Sequence, residues 1–253
     1  MSMTATIAIS GKGGSGKTTV AAMIIRLLRE RAAGPILAVD ADANSCLGLT
    51  LGVEPAGTIA EIREGARAKS SISAGTDKLR VFEYGIQRAI TEASGFDLLT
   101  MGRPEGPDCY CAVNNLLRQF LDKLSSQYQF VVIDNEAGME HLSRRTTNNV
   151  DLLWIVTEPT SLGAITARRI FALAKQLPIV VKEAGVVWNK VEGAAGCEPR
   201  LDAIETLGRI PMDQSVLDAS IRGRTIFDLD PHSPALLAVR RMTEQKIMGI
   251  RYA

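Results

Sequence analysis

The chain has 253 residues, 46% of them hydrophobic and 23% charged, with a formal net charge of +1. That balance suits one large α/β domain over 1–253, argues against a strongly electrostatic binder of nucleic acid or membrane, and leaves no apolar run of transmembrane length. A strand starting almost at Met1 leaves no room for a signal peptide and predicts a cytoplasmic address, where four cysteines (Cys46, Cys109, Cys111, Cys197) serve as thiols or metal ligands rather than as disulfides.

The apolar run at 4–9 predicts a strand, and 19–28 a helix. Between them stand Gly11, Lys12, Gly13, Gly14, Ser15, Gly16, Lys17 and Thr18, with Thr19 opening the helix. This G-x-x-x-x-G-K-T pattern, set between the strand and helix it needs, predicts a phosphate cradle. Glycines let the backbone curl so that N–H groups face phosphate oxygens, and the helix N-terminus adds partial positive charge. Lys17 would reach the β- and γ-phosphates, and the Thr18 hydroxyl would ligate Mg²⁺.

The next strand, within 35–44, ends in Asp40 and Asp42. At i and i+2 they share a side, and beside a phosphate loop they can serve Mg²⁺ and the attacking water. Cys46 reads as a small apolar filler. A short helix at 59–63 and strands at 79–84 and 96–101 follow. The segment after them holds Cys109 and Cys111 among Gly102, Pro104, Gly106 and Pro107, which favour extended or turn structure. Extended, the two thiolates lie side by side, an incomplete soft site for Zn²⁺, Ni²⁺ or a cluster that a two-fold dimer would complete. The strand at 129–134 ends in Asp134, four residues before Gly138. This D-x-x-x-G has the form of a switch, with Asp134 holding a water on Mg²⁺ and the Gly138 N–H approaching the γ-phosphate. His141, just beyond, reads as a structural or surface histidine. A strand at 150–157, a helix at 161–177, a strand at 185–190 closing on Asn189 and Lys190, and a short strand closing on Pro211, Met212 and Asp213 complete the order. The backbone of the last three can border the base. The segment 234–252 predicts a helix docked on the sheet rather than on a membrane.

The K-G-G-x-G-K-T loop resembles the deviant Walker A loop of the MinD/ParA/nitrogenase-iron-protein class. The stretches G-R-P-E-G-P-x-C-Y-C, V-N-N-L-L-R and D-N-E-A-G-M-E-H-L-S-R-R-T-T narrow the resemblance to CooC-type nickel-insertion ATPases of carbon monoxide dehydrogenase maturation, with the similar AcsF accessory ATPase of acetyl-CoA synthase. Ser15 and Ala43 replace the common valine and proline without removing a functional side chain. The resemblance implies a doubly wound, mostly parallel sheet of about seven strands flanked by helices, with ATP or ADP and Mg²⁺ bound at the strand C-terminal ends. It implies that Lys12 reaches the partner's phosphates in a homodimer closed by ATP or metal, that Asp42 orients the water, and that Asp40 supports the magnesium shell. Asn189 would hydrogen-bond the adenine. Cys109 and Cys111 would hold Ni²⁺ or Zn²⁺ between subunits, and the client would be apo carbon monoxide dehydrogenase or acetyl-CoA synthase. Two rival readings are an iron–sulfur reductase like the nitrogenase iron protein and a MinD/ParA-like positioning ATPase. The first needs widely separated cysteines, and the second gives Cys109 and Cys111 no role.

Overall fold

The computed structural model describes residues 4–42, 44–68, 84–102, 124–135, 149–177, 179–193, 198–201 and 203–247. Within them the chain runs β1 (Ala5–Ser10), α1 (Lys17–Glu30), β2 (Ile36–Ala41), α2 (Leu47–Leu51), α3 (Ile59–Ala68), β3 (Ile90–Ala93), β4 (Phe96–Thr100), β5 (Phe130–Asn135) and β6 (Asn149–Thr157). It continues through α4 (Ser161–Gln176), β7 (Val180–Val191), β8 (Glu205–Pro211), α5 (Gln214–Ile221) and α6 (Pro234–Met242).

The described strands form one eight-stranded sheet in the order β3-β4-β2-β5-β1-β6-β7-β8. Every pairing is parallel except β3 with β4 at the edge. Parallel sheets are covered on both faces, so their central strands read as unbroken apolar runs. β1 shows the pattern: Ile7 and Ile9 pack toward α1 and α6, while Ala8 joins the opposite layer with Leu153, Ala164 and Ala167. Each fully buried aliphatic chain of this kind contributes about 1.5–3 kcal/mol.

Helix α1 buries Val20, Ala21, Met23, Ile24, Leu27 and Leu28 against the sheet, which fixes the direction in which the preceding loop opens. Buried Arg26 donates to the carbonyls of Ile226 and Leu229 at 2.7 Å each, tying the segment after α5 to α1. Helix α6 docks as expected, with Leu236, Val239 and Met242 buried. It lies tight against β8, where a Cβ on Gly208 would stand 2.3 Å from Met242 Sδ. No helix among the described residues is long and apolar enough to cross a membrane.

The eighth strand is a departure from expectation. β3 forms an antiparallel hairpin with β4 around Ser94 and Gly95, the latter at φ 89°. The strand expected at 79–84 lies outside the described residues except for Tyr84, which begins a helical turn at 84–89.

Candidate nucleotide site

β1 delivers the glycine loop to the C-terminal edge of the sheet. The loop passes so close to β6 that a Cβ on Gly11 would stand 2.1 Å from the Val156 carbonyl oxygen. Gly16 takes φ 91° and is the N-cap of α1, with no side chain to satisfy the first-turn N–H groups. Those donors and the positive end of α1 face the loop's interior.

Lys17 lies at the start of α1, only 6% exposed, with no ion pair among the described residues. Its charge is felt by the Asp134 carboxyl without a direct ion pair, which leaves the ammonium available to an anion at this position. Thr18 Oγ1 donates to Asp134 Oδ2 at 2.6 Å. β2 and β5 pair so that Asp40 lies directly beside Asp134. Both carboxyls are fully buried. Asp40 accepts from the Leu47 N–H at 2.9 Å and the Asp42 N–H at 3.3 Å, whereas Asp134 Oδ1 has no partner among the described residues.

Burial dominates the acid–base state of the pair. It pushes Asp134 up to about 7, against the Thr18 hydrogen bond, and Asp40 up to about 6, against the backbone donors. An orphaned carboxylate oxygen beside a threonine hydroxyl is a hard-oxygen donor set that fits Mg²⁺. No group of three or more His, Cys, Asp or Glu able to hold a metal occurs among the described residues. Thr18 and Asp134 are the residues that would hold a magnesium ion here. Asp42 is half-buried beyond the pair and accepts from the Asn44 N–H at 2.9 Å and Asn44 Nδ2 at 3.0 Å. It is the carboxylate of the three with access to a water.

A cavity of about 320 Å³ opens from Gly16 and Thr19 along Met23, between Asn189 on one side and Pro211, Met212 and Asp213 on the other. It is continuous with the loop and has the apolar walls and few polar groups of a nucleoside site. Asp213 does not offer its carboxylate freely. It caps α5 through the Ser215 N–H and also accepts from Ser233 Oγ and the Ala235 N–H. Burial alone would raise its pKa, but these donors hold it below the usual carboxylate range. A larger cavity of about 410 Å³ lies on the far side of α5 and shares Thr19, Val216 and Ser220 with the first.

Lys12 is exposed and borders a third, smaller cleft with Glu158, Thr160 and Leu162. Asn189 donates from Nδ2 to the Ser15 carbonyl at 2.8 Å, and Lys190 Nζ donates to the Gly14 carbonyl at 2.8 Å. The structure thus brings together the loop, Asp40, Asp42, Asp134, Asn189, Lys190 and the 211–213 turn. Gly138, Cys109, Cys111, His141 and Cys197 lie outside the described residues.

Cys46 departs from its reading as an apolar filler. It is exposed and lines the larger cavity. Partial burial and the carboxyls of Asp40, Asp42 and Asp134 push its thiol up, so it is not primed as a nucleophile. Glu158 was not singled out by sequence. It pairs with Lys190 at 2.7 Å and stands just past β6, as Asp40 and Asp134 stand at the ends of β2 and β5. A carboxylate closing an apolar run was the signal available.

Residues 6–227 match the family of CobQ/CobB/MinD/ParA nucleotide binding domains. An uncharacterized ATP-binding protein of Methanocaldococcus jannaschii is 40% identical over 250 residues, covering 95% of this chain and 98% of that protein. The carbon monoxide dehydrogenase accessory protein CooC of Rhodospirillum rubrum is 34% identical over 244 residues, covering 89% and 90% respectively. Among solved structures, the septum site-determining protein MinD of Pyrococcus horikoshii, complexed with Mg-ADP, matches with a TM-score of 0.68 at 24% identity. The match covers 98% of this chain and 99% of that one, and is a likeness of fold.

Proposed function

Because the chain belongs to the CobQ/CobB/MinD/ParA family and is an ATPase of that class, we propose that it uses ATP to deliver nickel to an apo-metalloenzyme of the carbon monoxide dehydrogenase or acetyl-CoA synthase type. The observation that carries this reading is the Cys109-x-Cys111 pair, in a chain 34% identical to a carbon monoxide dehydrogenase accessory protein. Two thiolates per subunit make half a site for a soft divalent ion, and a homodimer brings four. Nickel, or zinc in its place, is cargo in this scheme.

Phosphoryl transfer asks for positioning and charge stabilisation more than for covalent chemistry. Lys17 and the loop N–H groups hold the phosphates. Thr18 and Asp134 would hold Mg²⁺, which would neutralise phosphate charge when bound. Asp42 orients the attacking water, and Lys12 reaches the phosphates of a second subunit. Nucleotide and metal both favour the closed dimer, and loss of the terminal phosphate loosens the thiolate pair. Coupling of this kind is reciprocal, so metal tightens the dimer to the extent that the dimer tightens metal.

The test is anaerobic Ni²⁺ titration followed by absorbance and sedimentation, on the native chain and on Cys109→Ala/Cys111→Ala. One nickel per dimer is expected, with thiolate charge-transfer bands that vanish in the double variant. Absence of nickel binding at micromolar concentration, with ATP hydrolysis intact, would overturn the proposal.

A further inference from the structure

A loop that turns its N–H groups toward phosphate turns carbonyls the other way, where outside donors can hold them; the Ser15 carbonyl is buried and the Gly14 carbonyl lies at the surface. Two consecutive residues at the end of β7 supply those donors to two consecutive loop residues. Asn189 Nδ2 donates to Ser15 O, and Lys190 Nζ donates to Gly14 O, both at 2.8 Å. The fit is close, because a Cβ on Gly16 would stand 2.3 Å from Asn189 Nδ2. Lys190 adopts φ 56°, a left-handed conformation that disfavours a residue with a side chain. Its ammonium is aimed by Glu158 Oε1 at 2.7 Å, from the segment just beyond β6. Strain in the backbone, an ion pair and two adjacent hydrogen bonds therefore converge on one task.

We propose that Asn189 and Lys190 are positioning residues for the glycine loop, with Glu158 as the group that orients Lys190. They act on the outer face of the loop and hold its inner face in the shape that receives phosphate. Asn189 also lines the 320 Å³ cavity with Met23, Pro211 and Met212, and bracing the loop occupies only the Nδ2 end of its amide. The assignment concerns nucleotide binding alone and stands apart from metal delivery.

A ligand without a base separates the two roles. Binding of ADP and of inorganic tripolyphosphate, each with Mg²⁺, is measured by calorimetry on the native chain, Lys190→Met, Lys190→Arg and Glu158→Gln. Losing a charge-assisted hydrogen bond at a half-exposed site should weaken ADP and tripolyphosphate by the same factor, about tenfold, in Lys190→Met. Lys190→Arg should recover most of the loss for both ligands, because a guanidinium reaches the same two oxygens. Glu158→Gln keeps the Gly14 hydrogen bond and should show a smaller loss, again equal for the two ligands. Thermal melting of each variant separates a misfolded chain from a loosened loop, and Glu158→Gln, altered at a half-buried position, serves if Lys190→Met does not fold. A loss confined to ADP would overturn the proposal by making Lys190 a base or ribose contact. Native affinity for both ligands in Lys190→Met and Glu158→Gln would overturn it as well.

Discussion

Asp40 and Asp134 face each other in register on β2 and β5, and neither reaches solvent. Burial raises their folded pKa values to about 6 and about 7, from an ordinary 3.8. Between about pH 4 and pH 7 the folded state therefore binds more protons than the unfolded chain, so stability falls as pH rises through that window. Urea denaturation with a chelator present should find the nucleotide-free protein more stable at pH 5 than at pH 7.5. Asp134→Asn should flatten that dependence. The same variant removes a charge from the magnesium site while leaving Thr18 an acceptor, and steady-state assays should show hydrolysis lowered about 100-fold or more. Much of this site was legible residue by residue, because a carboxylate closing an apolar run is a conspicuous pattern and Lys17 follows a loop of four glycines. The Gly14–Lys190 and Ser15–Asn189 contacts were not legible. They join segments far apart in the chain through main-chain carbonyls, which leave no mark on side-chain identity.

At the level of elements, α5 stands out for burying none of its residues. Leu217 and Ile221 are exposed on it, and a cavity lies on either side. It is held by Val216, which packs on the core, and by its end, where Asp213 caps the first turn and also receives Ser233 and the start of α6. Asp213→Ala should cost about 1–2 kcal/mol in urea denaturation, the range for losing a helix N-cap. It should also weaken ADP, since Met212 and Leu217 would lose their fixed place on the cavity wall. The elements that sequence could locate were the buried ones. β1, β2, β5 and β6 are unbroken apolar runs, and α1 and α4 have clear amphipathic stripes. β3 was missed because Ile90, Thr91, Glu92 and Ala93 form a partly solvated edge whose stability comes from β4 rather than from their own pattern. The first half of β7 was missed for a similar reason, as Lys182 and Glu183 interrupt its apolar run.

For the whole molecule, the exposed Lys12 beside the loop has a side chain with no hydrogen bond or ion pair among the described residues. If it serves a second subunit, Lys12→Ala should still bind ADP as a monomer but fail to dimerise with ATP in sedimentation. Native-like dimerisation of that variant would remove the role in trans. The order of the sheet also carries a meaning in time. β1 is made before the other strands of the sheet, yet Ile7 is flanked by Val132 on β5 and Leu152 on β6, and the loop behind it is braced by Asn189 and Lys190. A growing chain emerges at about 5–20 residues per second and cannot form such distant pairings until their partners exist. The phosphate cradle is thus made before most of the sheet that completes it. Nucleotide stabilises only molecules that can bind it, so in the cell ATP or ADP would favour finished chains and give no shelter to those released early.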